Sequence, residues 1–244
     1  MRKKGVSFHI GLIAVVSALL AALSGCARLP DYARPQSGAA LADPQMIKEA
    51  FTYRQLTRAD FRAPTLPAER AMHASSINAH TCAHIRPTKS SRFSIRRTPY
   101  DDSVMYIGSI DAIDFEAVMV PGCSWWNPEL PAARHAYVLE HEQIHFALVE
   151  LTARRLTREG RSKARTFMAI QPTAAAAQKE IKTTIKQWIR SAMEKSLADH
   201  TAFDEDTSLF YSPRWQQWWL EKVESQLAEL GGRGPEGLTE GSAP

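Results

Sequence analysis

The sequence predicts an α+β domain, with an antiparallel β-sheet first and a helical half after it. Four segments between residues 50 and 126 are short, often β-branched and bounded by Pro, Gly or Asp, which is typical of strands. They read AMHASSINAHTCAHI, RFSIRR, VMYIGSI and FEAVMVPGCSWW. From Pro131 onward the apolar residues recur at helical spacing instead. Strands followed by helices, rather than alternating with them, indicate the α+β class.

Three helices are predicted in the second half. Pro131 suits the first turn of the first helix, and Gly160 lies just beyond its end. The second helix runs from about Thr173 to Leu197, and the third begins near Ser212 and Pro213, a cap and first-turn pair. The last two helices each carry an apolar stripe, which consists of Ile181, Ile185, Trp188, Ile189 and Met193 on the second and of Trp215, Trp219, Val223 and Leu227 on the third.

Residues 1–25 have the features of a lipoprotein signal peptide. Arg2, Lys3 and Lys4 precede an apolar run that is shorter than the roughly 20 residues needed to span a bilayer. The run ends in LSGC (residues 23–26), which resembles the lipobox of bacterial lipoproteins. That resemblance implies cleavage before Cys26, a lipid on its thiol, and a place in the cell envelope at the outer membrane, facing the periplasm. An uncleaved N-terminal anchor is the alternative.

Composition sets the remaining boundaries. Residues 26–50 are rich in Pro, Ala, Gly and Asp and predict a flexible tether, residues 51–230 form the folded domain, and residues 231–244 form a disordered tail. Once the basic residues of the signal are removed, Lys and Arg nearly balance Asp and Glu. The charge of the chain therefore gives no reason to expect a nucleic-acid partner.

Cys82 and Cys123 are the cysteines that remain when Cys26 is lipidated. Outside the cytoplasm an even pair of cysteines is more often bridged than free, so the sequence predicts a disulfide between them. Two buried free thiols are the alternative.

The segment YVLEHEQIHFALVEL (residues 137–151) contains His141, Glu142 and His145 in the pattern His-Glu-x-x-His. On a helix, positions four apart share a face, so both imidazoles can bind one zinc ion. Glu142 is rotated by about 100° from His141 and can reach a water at the metal without binding the metal. Zinc lowers the pKa of such a water, and a carboxylate takes its proton during attack on a carbonyl group. The alternative is a pair of core histidines that are satisfied without a metal.

Four segments resemble motifs of the DUF922 family, secreted or lipid-anchored bacterial proteins regarded as zinc-dependent peptidases. LTRADF (residues 56–61) is similar to an early motif of the family, and SWW (124–126) to the strand that leads into its active-site helix. LEHEQIHF (139–146), followed by Glu150, is similar to the central motif, and FDEDTSLF (203–210) to the closing motif. The resemblance covers most of residues 55–228. It implies a zincin-like helical half, a zinc cofactor, Glu142 as the catalytic residue, and a peptide or protein of the envelope as substrate.

The closing motif departs from the family pattern, because Leu209 stands at the position of the family's histidine. This departure favours a second hypothesis, in which the chain is a catalytically degenerate lipoprotein with a role in binding or envelope assembly.

Catalytic zinc usually takes three protein ligands and a water, so a third ligand is needed. The resemblance implies Asp204, which matches the aspartate of the closing motif, with His200 as the second choice. We expect an antiparallel return after the second helix to bring these residues back to the histidines. Glu150 is excluded as a ligand, since it lies about 13.5 Å along the helix from His141 and on nearly the opposite face. Further options for the third ligand are Asp206, Glu180 and Glu194.

Two other patterns have structural explanations. His80, Cys82 and His84 share one face of a strand, but the outer pair lies about 13 Å apart in an extended chain, too far for one ion. The tryptophans of WQQWW and SWW are predicted to pack in the core rather than to bind carbohydrate. A substrate strand is expected to pair with a sheet edge within residues 104–120.

Overall fold

The computed structural model describes residues 29–30, 49–208 and 210–231. The signal peptide, Cys26, most of the tether, Leu209 and the tail from residue 232 lie outside the described residues. Among the described residues, no helix is both long and apolar enough to cross a bilayer. The strands and α-helices of the described chain follow one another as β1 (Phe51–Thr52), β2 (Ala79–His80), β3 (Ala83–Pro87), β4 (Arg92–Tyr100), β5 (Ser103–Ala112), β6 (Phe115–Met119), β7 (Trp125–Trp126), α1 (His135–Ala164), β8 (Ala169–Gln171), α2 (Ala174–Thr207) and α3 (Pro213–Glu229).

The strands form three small antiparallel sheets, with the orders β1-β6-β3, β2-β7 and β4-β5-β8. Seven strands precede α1, and β8 joins the third sheet from the connection between α1 and α2. The predicted α+β class, with an antiparallel sheet region followed by a helical half, is confirmed.

One prediction about the strands is wrong, and another is narrowed. Part of the segment 71–85 is helical, because a 3₁₀-helix occupies Ala68–Ser76 and β2 begins only at Ala79. This stretch is rich in alanine and has no β-branched residue before Ile77. The expected substrate edge within residues 104–120 is partly covered, because β8 pairs with residues 106–108 of β5 and β1 pairs with residues 118–119 of β6. A stretch that has strand partners on both sides cannot accept a further strand.

Helix α1 continues through Gly160 to Ala164, so the prediction that Gly160 lies beyond its end is wrong. A Cβ atom at this position would lie 2.9 Å from Cε2 of Phe115 on β6. The glycine therefore permits a close approach of helix and sheet instead of ending the helix. The main core fills the space between α1, α2 and the sheets and includes Ile85, Ile113, Ala117, Met119, Phe146, Val149, Ala153 and Ile181.

Helix α2 begins where it was predicted, after Thr173, whose hydroxyl accepts a hydrogen bond from the Ala176 amide. It continues to Thr207, well beyond the predicted end near Leu197. The extension keeps one buried face at helical spacing, made of Ser196, His200, Phe203, Asp204 and Thr207. Residues 200–204 therefore reach α1 from the last turns of α2, and the expected antiparallel return is wrong.

The predicted disulfide between Cys82 and Cys123 is confirmed, with Cα atoms 5.6 Å apart. It joins the short connection between β2 and β3 to the turn that precedes β7. The hydroxyl of Ser124 accepts a hydrogen bond from the Cys82 amide at 3.0 Å and donates one to the carbonyl of Val120 at 2.9 Å. The segment that contains β2 is thus held by a covalent bond and by hydrogen bonds.

The tryptophans do not all pack in the core as predicted. Trp125 and Trp219 are buried, but Trp215 and Trp218 are 53% and 46% exposed. The buried stripe of α3 consists of Gln216, Trp219, Val223 and Leu227, and Trp215 lies outside it.

Candidate metal centre

Three ligand-type atoms converge between α1 and the end of α2. His141 Nε2 and His145 Nε2 lie 3.1 Å apart. Oδ1 of Asp204 lies 3.1 Å from the first nitrogen and 3.0 Å from the second. The three residues predicted as zinc ligands are therefore brought together, although Asp204 lies on another helix and 59 residues after His145.

The helices position these side chains through local packing. His141 and His145 share one face of α1, and the ring of Phe203 on α2 stacks on His141 at 4.5 Å and meets His145 edge-on at 4.9 Å. Phe203 is fully buried. Because Asp204 follows Phe203 directly, the same turn of α2 that packs the imidazoles also supplies the carboxylate.

The other ring nitrogens of the two histidines have partners of their own. Nδ1 of His141 lies 3.3 Å from Oγ1 of Thr207, whose proton goes to the Phe203 carbonyl, so we assign the Nδ1–H of His141 as the donor. Nδ1 of His145 lies 2.9 Å from Nδ1 of His200. With Nδ1 protonated on each ligand histidine, both Nε2 lone pairs point at the centre, as metal ligation requires.

Electrostatics favours a cation at this point. Burial raises the pKa of Asp204, but the neighbouring His145 and His141 lower it by a larger amount. The net effect is a pKa below its ordinary value. Burial lowers the pKa of His145, but the Asp204 charge outweighs this and the pKa is raised. Burial lowers the pKa of His200 to about 3, so this ring is neutral and its Nδ1 can accept the His145 proton.

The residues fit zinc. Ligand atoms at 2.0–2.1 Å from a tetrahedral ion lie about 3.3 Å from one another, slightly more than the distances between the three atoms here. Two neutral imidazole nitrogens and one carboxylate oxygen are a typical donor set of catalytic zinc sites. Without a cation or proton, three acceptor atoms would meet in a space that is nearly closed to water.

The remaining candidates for the third ligand have other partners. His200 binds His145 rather than the centre, and its Nε2 is buried with no hydrogen-bond partner among the described residues. Asp206 accepts the indole proton of Trp219 at 2.8 Å, and Glu180 accepts one from the Gln171 amide at 2.6 Å. Glu150 accepts hydrogen bonds from Arg154 and from the Ala117 amide, in agreement with its exclusion as a ligand. Glu194 is exposed on α2.

Glu142 lies in the cleft beside the three ligand atoms and is 5% exposed. Its Oε2 accepts a hydrogen bond of 2.6 Å from the hydroxyl of Thr81, which lies between β2 and β3. A carboxylate placed beside a water can take a proton from it. The bond also fixes the carboxylate relative to the wall of the cleft.

The cleft has a volume of about 250 Å³. One wall is formed by residues 76–81, and α1 and the end of α2 form the others. Arg70 and His80 add basic groups to it, and burial lowers the pKa of His80 to about 4. Leu29, from the predicted tether, also lines the cleft and is 3% exposed.

Sequence reasoning missed Thr81, Thr207 and the partnership of His145 with His200. No short motif marks them, because each acts on a residue more than 50 positions away. Gln143, the third residue of the His-Glu-x-x-His pattern, has a structural role. Its side chain accepts a hydrogen bond from the Leu56 amide at 2.7 Å and so ties α1 to the LTRADF segment.

A second group of ligand-type atoms lies elsewhere in the described structure, at Cys82, His84 and Cys123. Both sulfurs belong to the disulfide, and His84 Nε2 lies 3.6 Å from Cys82 Sγ. Disulfide sulfurs are not thiolates and bind zinc poorly. The interpretation of this segment as structural agrees with the disulfide.

Comparison of the chain with protein-family models, with curated proteins and with solved structures finds no match. The resemblance to the DUF922 motifs therefore stays a prediction from the sequence.

Proposed function

We propose that the protein is a zinc-dependent peptide-bond hydrolase of the bacterial envelope, anchored by a lipid on Cys26. The observation that supports this best is the meeting of His141 Nε2, His145 Nε2 and Asp204 Oδ1 within about 3.1 Å of one another. A buried carboxylate, Glu142, lies in the same cleft. Metal-assisted hydrolysis of an amide needs these two elements together.

Zinc bound by the three ligands would polarise the substrate carbonyl and lower the pKa of the attacking water. Glu142 accepts a proton from that water at Oε1, since Oε2 is held by Thr81. It then donates the proton to the leaving amine. His200 and Thr207 keep the two ligand imidazoles in the tautomer that presents Nε2 to the centre.

We place the substrate along β2 instead of along residues 104–120. Strand β2 pairs only with β7 within the described chain. Both residues of this strand, together with Asn78 and Thr81, line the cleft that contains the metal centre. An extended peptide can add to such an edge through backbone hydrogen bonds, which bind peptides with little dependence on their side chains.

The first test is the metal content of the mature chain carrying Cys26→Ser, purified from zinc-supplemented cells. We expect about one zinc per chain by mass spectrometry, and cleavage of a mixed peptide library. Glu142→Gln keeps the zinc and lowers the cleavage rate by about 10²–10⁴-fold, since it removes the proton acceptor.

Glu159→Gln is the matched control, because Glu159 lies on the same helix, is 52% exposed and pairs with Lys163. It leaves both zinc content and cleavage unchanged. A wild-type chain that holds zinc but cleaves no peptide would favour the binding lipoprotein, and a chain without zinc would refute the hydrolase.

A further inference from the structure

An exposed aromatic patch borders the mouth of the cleft. It consists of Phe210, Tyr211, Trp215 and Trp218, which are 71%, 67%, 53% and 46% exposed. All four lie within nine residues, on the turn before α3 and on its first two turns. Phe210 and Tyr211 also line the cleft itself. Large aromatic side chains are rarely left in water in such a group unless they bind something.

The patch carries basic groups among its rings. The Trp215 and Trp218 rings lie 5.9 Å apart, and the ammonium group of Lys222 lies 4.8 Å from the Trp218 ring and 3.8 Å from that of Trp219. Arg214 is exposed beside Trp215. Indole and phenol rings next to Lys and Arg are typical of segments that lie at the boundary between lipid headgroups and acyl chains.

The proposed lipid anchor, Cys26, lies close in sequence to a residue that lines the cleft. Leu29 is buried in the cleft that Phe210 and Tyr211 line. Cys26 precedes Leu29 by three residues, which span about 11 Å at most. A lipid carried by Cys26 would therefore be limited by chain length to the neighbourhood of the cleft that Phe210 and Tyr211 line.

We propose that the aromatic patch docks the domain on the surface of a lipid bilayer, with Trp215 and Trp218 among the headgroups and Arg214 and Lys222 at lipid phosphates. The anchor position rests on the proposed lipidation of Cys26, whereas the patch itself does not. Docking holds the mouth of the cleft at the membrane surface. Peptide segments that emerge from the bilayer are then the substrates within reach.

The test uses the mature chain with Cys26→Ser, so that binding depends on the patch and not on the lipid. Vesicles of phosphatidylethanolamine and phosphatidylglycerol are sedimented with the protein. We expect the wild-type surface to partition onto them, and Trp215→Ser with Trp218→Ser to lower the partition coefficient about tenfold or more. Brominated lipids quench the tryptophan fluorescence of the Cys26→Ser parent, but not that of the variant that lacks Trp215 and Trp218.

Phe93→Ser with Tyr100→Ser is the matched control, because both residues are exposed aromatics on β4, at 43% and 64%. This pair leaves the partition coefficient within about twofold of the parent, and unchanged thermal midpoints show that both variants fold. Equal loss in the two variants, no binding by the parent chain, or loss of a dimer in place of loss of vesicle binding would overturn the proposal. Zinc-free protein and Glu142→Gln bind vesicles as the parent does, so failure of the hydrolase and failure of docking are separate results.

Discussion

Two places in the described structure bring ligand-type atoms of three side chains within 4.8 Å of one another: His141, His145 and Asp204 at one, and Cys82, His84 and Cys123 at the other. The two groups differ in whether the lone pairs of their nitrogen and sulfur atoms are available to a cation. At the first, each histidine donates its Nδ1 proton elsewhere and presents Nε2 to the centre. At the second, the two sulfurs are bonded to each other. The first group therefore keeps lone pairs that a cation can use, whereas the sulfurs of the second group are committed to a covalent bond.

The largest effect is expected from a substitution in the group of His141, His145 and Asp204. Asp204→Asn keeps the volume of the side chain but replaces the anionic oxygen, so we expect loss of stoichiometric zinc and at least about a 100-fold weaker affinity. Asp199→Asn is the control, since Asp199 lies on the same helix, is 46% exposed and lies 3.7 Å from Arg155. Zinc titration with a competing chelator measures both. Wild-type affinity in Asp204→Asn would show that the metal is held by other residues.

Removing the disulfide tests whether the group of Cys82, His84 and Cys123 has only a structural role. Cys82→Ala with Cys123→Ala relaxes the unfolded chain, and the free energy of unfolding falls by about 2–5 kcal/mol, measured by urea denaturation. Zinc content stays at its wild-type value, because neither sulfur contributes to the centre. A parallel loss of zinc would show that the two places are coupled, through the adjacent Thr81.

The dependence on pH sharpens the comparison. The pKa of His145 is raised by Asp204 after burial has lowered it, so its proton stabilises the metal-free fold fully below pH 6.5, and this contribution is lost as the pH rises through the folded-state pKa. Zinc must displace that proton. The stabilisation by zinc, measured as the difference in thermal midpoint with and without the metal, therefore grows as the pH rises towards the raised folded-state pKa of His145, and it levels off above that pKa. A difference that does not change with pH would exclude His145 as a ligand.

The smallest effect is expected at Thr81, which precedes Cys82 and donates a hydrogen bond to Glu142. Thr81→Val removes the hydrogen bond to Glu142 without changing the shape of the side chain, and we expect kcat to fall about 3–10-fold with zinc content unchanged. Thr81→Ser retains the hydroxyl and most of the rate. Equal rates in the valine and serine variants would remove Thr81 from the machinery of the cleft.

The placement of Asp204, the third predicted ligand, shows how much of the site sequence motifs can predict. The motif resemblance predicts Asp204, but it does not predict that α2 carries this residue to the centre as an unbroken helix. The sequence around residue 197 has no clear stop signal, and the helix continues because His200, Phe203 and Thr207 find a buried surface on α1. Helix α1 also extends beyond its predicted end, since Gly160 admits the Phe115 ring and does not end the helix. In both cases contacts with distant residues decided the length of the helix.

By itself the sequence determined what depends on short spacing and composition. Histidines four apart must share a helical face, a pair of cysteines outside the cytoplasm tends to bridge, and strand-like segments before helical ones make an α+β domain. Only the tertiary structure decided which nitrogen of each imidazole points inward and that Thr81 holds Glu142. It also decided that β2 pairs with β7 alone among the described strands, and that Trp215 and Trp218 remain exposed. The reason is physical: periodicity fixes neighbours within a few residues, whereas these contacts form between elements whose approach is set by packing of the whole core.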